Sequence, residues 1–116
     1  MNASEKQIQD SILEWLALRK IFHYRQNTGA TMSEYTRKSD GVTKKRMIRF
    51  GTKGASDIVA VALGYYIAIE VKDHKGVQDE DQVEFQRAIE KAGGKYILVR
   101  SLEEVEKYFK DFFNNN

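Results

Sequence analysis

Apolar residues recur at Ile8, Ile12, Trp15 and Leu16, and this spacing predicts an amphipathic helix from near Ser4 to about Lys20. Ser4 and Gln7 have the spacing of a capping box, in which each side chain satisfies a free backbone N–H of the first turn. Glu5 falls on the apolar stripe with Ile8, so it is either a carboxylate facing the core side or an acid placed to suit the helix dipole. Ile21 to Gln26 reads as a short strand, rich in aromatics. Residues 27–46, with Gly29 and Gly41, have weak periodicity and are expected to form a long loop or a pair of irregular strands, after which Met47 to Phe50 returns as a strand. Ser56 to Leu63 is a continuous apolar run led by a carboxylate, the pattern of a buried central strand. Gly64 marks a hairpin turn, and Tyr65 to Lys72 is the strand that follows. Asp79 and Gln82 cap a second helix with a stripe of Phe85, Ala88, Ile89 and Ala92, closed by Gly93-Gly94. Lys95 to Val99 is another strand. Ser101 and Glu104 open a last helix on Leu102, Val105, Phe109 and Phe112. The order predicts an α/β protein, a single mixed β-sheet flanked by helices, in one domain over residues 1–116 with a basic loop at about 28–46.

Composition narrows the chemistry. Hydrophobic residues make up 41% of the 116, enough for a core. The absence of cysteine excludes disulfides and thiolate-held metals, and two histidines are too few for a histidine-rich site. Any metal is therefore held mainly by oxygen. The N-terminal residues do not resemble a signal peptide, and the longest apolar run, Ile58 to Ile69, falls short of the roughly 20 residues of a membrane helix. A soluble, cytoplasmic protein is the expectation, with no membrane partner.

Net charge is only +2, but its distribution is uneven. Arg37, Lys38, Lys44, Lys45, Arg46, Arg49 and Lys53 stand against one nearby acid, Asp40. Such a run is either a solvated, self-repelling segment or an arm that binds phosphates. Tyr35 beside it either stacks on a base or packs.

The candidate chemistry lies elsewhere. A two-residue turn at Leu63-Gly64 pairs Ala62 with Tyr65 and, counting back, Asp57 with Glu70. Their side chains then share one sheet face, together with Lys72. Two carboxylates this close repel unless a cation compensates them. One reading is a surface salt-bridge cluster of Asp57, Glu70 and Lys72. The other is an oxygen site for Mg²⁺ or Mn²⁺, where the cation polarises a phosphate oxygen and lowers the pKa of bound water, with the lysine beside the attacking water. Glu5 and Gln82, on helix faces expected to pack inward, favour the second. His23 and His74 are either general bases or, the reading favoured, histidines that touch solvent or phosphate, and Trp15 reads as core.

Asp57 followed by Glu70-Val71-Lys72 resembles the Asp…Glu-x-Lys core of the PD-(D/E)xK nucleases. The wider order resembles the virus-type replication–repair nuclease (VRR-Nuc) family in its small stand-alone form, over about residues 4 to 105. Ser4-Glu5 opens the first helix, Gly54-Ala55-Ser56-Asp57-Ile58 opens a strand, and Gln82 lies on the next helix. Gly93-Gly94-Lys95-Tyr96 then leads to Val99-Arg100-Ser101. The family usually has proline where this chain has Ser56, a strand-opening position and not a ligand. The resemblance implies a restriction-endonuclease-like αβββαβ core. It implies Asp57, Glu70 and the Val71 carbonyl as metal ligands, and Glu5 completing the shell directly or through water. Lys72 would orient or activate water, and Gln82 would hydrogen-bond the lysine or the water. It further implies a metal-dependent deoxyribonuclease, a homodimer acting on branched DNA such as four-way junctions, in the host cytoplasm if the chain is viral. The alternatives are a non-catalytic nucleic-acid-binding module, a nuclease of flap or linear DNA that needs a partner, and a small protein whose basic segment binds an acidic partner.

Overall fold

The computed structural model of the chain describes residues 2–26 and 29–116, and the side chains of all of these except residues 29–31, 49 and 50. Helix α1 spans Glu5–Leu18, α2 spans Glu80–Lys91 and α3 spans Leu102–Asn114. The strands are β1 (Phe22–Arg25), β2 (Gly29–Thr36), β3 (Thr43–Phe50), β4 (Ile58–Ala62), β5 (Tyr65–Val71) and β6 (Lys95–Val99).

Each helix starts at a side-chain cap. Ser4 Oγ accepts the Gln7 N–H and Gln7 Oε1 accepts the Ser4 N–H, a closed capping box. Asp79 and Gln82 form the same reciprocal pair at α2. At α3, Ser101 Oγ accepts the Glu104 N–H, but the Glu104 carboxylate reaches back to the Arg100 N–H, so this box is only half closed. Helix α1 ends two residues before the expected Lys20, which adopts a left-handed φ of 58° in the turn into β1.

Strands β1, β4, β5 and β6 form a mixed sheet in that spatial order. β1 and β5 run antiparallel to β4, and β6 runs parallel to β5 after the α2 crossover. The β4–β5 register is the one the turn predicts, Ala62 opposite Tyr65 through Ile58 opposite Ile69. One face carries the core, where Ile58, Ala60, Ile67, Ile69, Val71 and Val99 meet α1 through Ile8, Ile12 and Leu16 and α3 through Val105, Phe109 and Phe112. Each such side chain contributes about 1.5–3 kcal/mol by leaving water. Trp15 is half-buried at the margin of this core, its ring tilted against Phe109 at 5.9 Å between centroids.

The other face is unevenly covered. Helix α2 lies over β6 and β5, with Phe85 against Tyr96 at 6.3 Å between ring centroids. None of α2 is fully buried, and Ala88 and Ala92 of the expected stripe are exposed. Over β1 and the end of β4 the sheet is bare, with Phe22, Tyr24 and Val61 exposed.

The basic segment is not a loop. β2 and β3 pair antiparallel over eight residues each and with no other strand, forming a two-stranded hairpin. Alternating Thr, Met, Tyr and Ile supply the extended preference that the charges obscured. Residue 28 lies outside the described residues. No helix among the described residues is long and apolar enough to cross a membrane.

Candidate active site

The acid pair forms at the open end of the β4–β5 hairpin. Asp57 stands one residue before β4, and its Oδ2 accepts the Val71 N–H at 2.8 Å, across the mouth of the hairpin. The preceding corner is fixed from below. Ser56 is buried and donates to the Ile58 carbonyl at 3.0 Å, and the Gln26 N–H donates to the Asp57 carbonyl at 2.8 Å. The Ser56 hydroxyl thus holds the turn into β4.

Glu70 is 2% exposed, an unusual position for a carboxylate without a partner cation. Its Oε1 accepts Nε2 of Gln82 at 3.2 Å, while its Oε2 is buried with no hydrogen-bond partner among the described residues. Burial first, then the negative charge of nearby Asp57, push the Glu70 carboxyl up to about 9, with Glu5 adding to the rise and Lys72 opposing it. Near neutral pH Glu70 is therefore held in its protonated form. Glu5 is raised as well, by desolvation first, then by Asp57, with Lys72 pulling it down and Asp73 pushing it up.

Three expectations change here. Glu5, in the first turn of α1, is exposed and not turned into the core, yet its charge still reaches Asp57 and Lys72. Gln82 donates to Glu70 and does not bond the lysine. Its oxygen closes the α2 capping box, so its amide NH₂ is left pointing at Glu70. The salt-bridge cluster of Asp57, Glu70 and Lys72 does not form, since Lys72 is in none of the ion pairs among the described residues.

Residues to which the sequence reading gave no role at the site build the surroundings. Gly54, at φ 74°, lies so close to α2 that a Cβ there would sit 2.2 Å from the Asp81 carbonyl oxygen. This contact sets the first turn of α2, and with it Gln82, over Glu70. Arg100 Nη1 donates to the carbonyls of Asp73 and Gly76, the latter at 2.7 Å. Asp73 Oδ1 accepts the N–H groups of Lys75 and Gly76, and these bonds lower the Asp73 carboxyl from its ordinary range. The loop so pinned carries Gly76 against the Lys72 stem, where a Cβ would meet Lys72 Cδ at 3.1 Å. Tyr96 is buried against Gln78, which donates to its hydroxyl at 3.1 Å. Burial pushes that phenol up to about 12, with Glu70 and Asp57 adding to the rise. His74 is exposed, and His23 is held through Nδ1 at the Ile21 carbonyl on the opposite sheet face.

The donor set fits a hard divalent cation in charge and chemistry. Two carboxylates lie together, one oxygen is orphaned, and a third acid sits at the rim. Among the described residues no three acid or histidine side chains already form a complete cage, so the remaining ligands would have to be backbone carbonyls and water.

Strand alternation divides the basic residues. Lys44 and Arg46 share a hairpin face with Tyr35, whose ring lies 5.6 Å from the Arg46 guanidinium carbon. Lys45 is on the other face, 3.8 Å from Glu34 and beside the Met32–Met47 cross-strand pair. Arg37 is tied to Asp40 at 2.6 Å near the tip, and Lys38 is exposed there. The Arg49 side chain lies outside the described residues. Lys53 belongs to the acid corner, 3.5 Å from Asp81 in the first turn of α2. No known protein-family model matches this chain, and no curated protein does.

Proposed function

We propose that the chain is a metal-dependent endonuclease that hydrolyses DNA phosphodiester bonds, related to the PD-(D/E)xK nucleases and most similar to their VRR-Nuc branch. The observation that carries this reading is Glu70, a buried carboxylate with one unpartnered oxygen, facing Asp57 and next to a lysine free of ion pairs. A purely structural corner is destabilised by that arrangement. A corner that exchanges a proton for a cation requires it.

Asp57 and Glu70 would hold Mg²⁺ or Mn²⁺, with the Val71 carbonyl and, through water, Glu5 completing the shell. When bound, such a cation supplies Lewis-acid charge to a phosphate oxygen and a bound water of lowered pKa. Val71 N–H fixes Asp57, and Gln82 fixes Glu70, so neither carboxylate must reorganise on loading. Lys72, its stem seated on Gly76, places a positive charge where the attacking water and the developing phosphorane charge would lie. Tyr35, Lys44 and Arg46 supply a stacking ring and two phosphate contacts on one face of an exposed arm. We infer that the substrate is branched DNA and that the enzyme works as a two-fold dimer.

The test is cleavage of labelled four-way junction, flap, single-stranded and linear duplex DNA with Mg²⁺, Mn²⁺ or EDTA. Paired nicks in the junction, lost in EDTA and in Asp57→Ala and Lys72→Ala, are the expected outcome. Cutting of other substrates only would retire the junction preference. Folded wild-type protein that binds DNA and never cuts would replace the enzyme with a binding module.

A further inference from the structure

The β1–β4 register arranges the sheet face that carries the acids. Tyr24 lies opposite Val59 and Phe22 opposite Val61, and the bond from the Gln26 N–H to the Asp57 carbonyl extends the pairing to Gln26 opposite Asp57. Residues two apart on a strand share a face, so Phe22, Tyr24 and Gln26 point to the same side as Asp57 and away from the core. Helix α2 packs on β6, across the sheet from β1. Phe22 and Tyr24 are left 67% and 45% exposed, with ring centroids 6.4 Å apart and ring planes at 70°. Tyr24 is the diagonal neighbour of Asp57 across the strand pair, which puts their backbones about 7–8 Å apart. A nucleoside attached to a phosphate held at Asp57 and Glu70 spans that distance.

We propose that Tyr24, with Phe22, is a stacking site for one unpaired nucleobase of the DNA held at the acid corner. The occupant follows from the chemistry of the face. Beyond Asp57, the paired residues Gln26, Tyr24, Val59, Phe22 and Val61 carry no charge. The face therefore suits a flat, neutral group and not a further phosphate. Contacts for flanking phosphates lie on the β2–β3 hairpin, which falls between β1 and β4 in the chain and so is rooted at the acid end of both strands. In an intact duplex the faces of the bases are covered by their neighbours, and rings beside the acids have nothing to stack on. An unpaired nucleotide has a free face, and an aromatic ring takes it whatever the base. Branch points and bulges supply such nucleotides. Selection of branched DNA then comes from one unstacked nucleotide beside the cut. The position of the cut rests on the nuclease reading, whereas the base site does not.

The test uses wild-type protein and a short duplex with a single-nucleotide bulge, in EDTA so that no strand is cut. With 5-iododeoxyuridine at the bulge, irradiation should cross-link the DNA to Tyr24 or Phe22, read by mass spectrometry of the peptides. By fluorescence anisotropy, the bulge should bind about tenfold more tightly than either uninterrupted duplex or the same bulge without its base. Tyr24→Leu keeps an apolar side chain on the strand but has no ring, and should lose that preference. Tyr24→Phe should keep it. With Mg²⁺, the cut should fall at a phosphate flanking the bulged nucleotide. A cross-link on Tyr35 of the hairpin alone, no cross-link from bound DNA, equal binding of the bulge with and without its base, or an unchanged preference in Tyr24→Leu overturns the proposal. If Tyr24→Leu fails to fold, the wild-type cross-link and the comparison with the baseless bulge decide. Protein that cross-links through Tyr24 and never cuts would support the base site and remove the nuclease reading. Protein that cuts in Mg²⁺ but shows no preference for the base would do the reverse.

Discussion

At the acid corner, Glu70 is 2% exposed and held from two elements at once. Along the β2–β3 hairpin every described side chain except Ser33 is exposed, and the strands pair only with each other. The corner spends core stability on holding charge out of water, and small displacements there leave a buried group unsatisfied. The hairpin loses little when one charge is removed, because each is solvated already. Chemistry that needs fixed geometry belongs in the first kind of region, and reach toward a flexible polyanion in the second. The corner should therefore answer mutation all-or-none, and the hairpin by degrees.

The largest effect is expected where the reacting groups are. Asp57→Ala and Lys72→Ala should each lower junction cleavage by about 10³-fold or more while DNA binding, read by fluorescence anisotropy, stays close to wild type. Equal losses from a hairpin variant would erase the contrast between the regions.

Gly54→Ala tests whether the corner depends on the α2 approach. Its Cβ would strike the Asp81 carbonyl from a backbone already at φ 74°, so urea unfolding should show a loss of about 2 kcal/mol or more. Cleavage should fall with it, because Gln82 moves with that turn.

Glu70→Gln separates stability from chemistry. The folded chain keeps the Glu70 proton up to about pH 9, whereas an unfolded glutamate, with its ordinary pKa of 4.5, has already lost it. Between those values the unfolded state binds fewer protons, so the cation-free protein loses stability as pH rises. The contribution is fully present below 4.5 and gone above about 9. The amide keeps the oxygen that accepts from Gln82 and never ionises. Glu70→Gln should flatten the pH dependence of Tm and melt several degrees above wild type at pH 8, while cutting no DNA.

The smallest effects are expected on the hairpin, and they should differ by face. Replacing Lys44 and Arg46 together by alanine should reduce the salt dependence of DNA binding by about two phosphate contacts. Lys45→Ala should matter less, since Lys45 already lies near Glu34. Equal effects from both faces would mean that the hairpin acts only through its total charge.

These differences also track what could be read from the sequence. The Asp57–Glu70 juxtaposition was legible because one short turn at Leu63-Gly64 fixes the register of two apolar strands. Gln82 was legible as inward-facing from the stripe it shares with Phe85 and Ile89, but its partner was not. Which atom it offers depends on the capping box having taken its oxygen. The hairpin was left open between loop and strands because charges interrupt its alternation, and no turn residue fixes its pairing as firmly as Gly64 does. The site roles of Arg100, Gly76 and Tyr96 were missed for a different reason. Their roles depend on tertiary approach to residues far away in the chain, and no local pattern encodes that.

The most direct measurement is calorimetric titration of wild type and Glu70→Gln with Mn²⁺ near pH 7, repeated in two buffers of different ionisation enthalpy. If the corner exchanges a proton for a cation, wild type releases about one proton per Mn²⁺ bound, and its affinity rises about tenfold per pH unit toward 9. Glu70→Gln should bind far more weakly and release none. Mn²⁺ binding of equal strength by Glu70→Gln, or no binding by wild type, would contradict the assignment of this corner as a metal site.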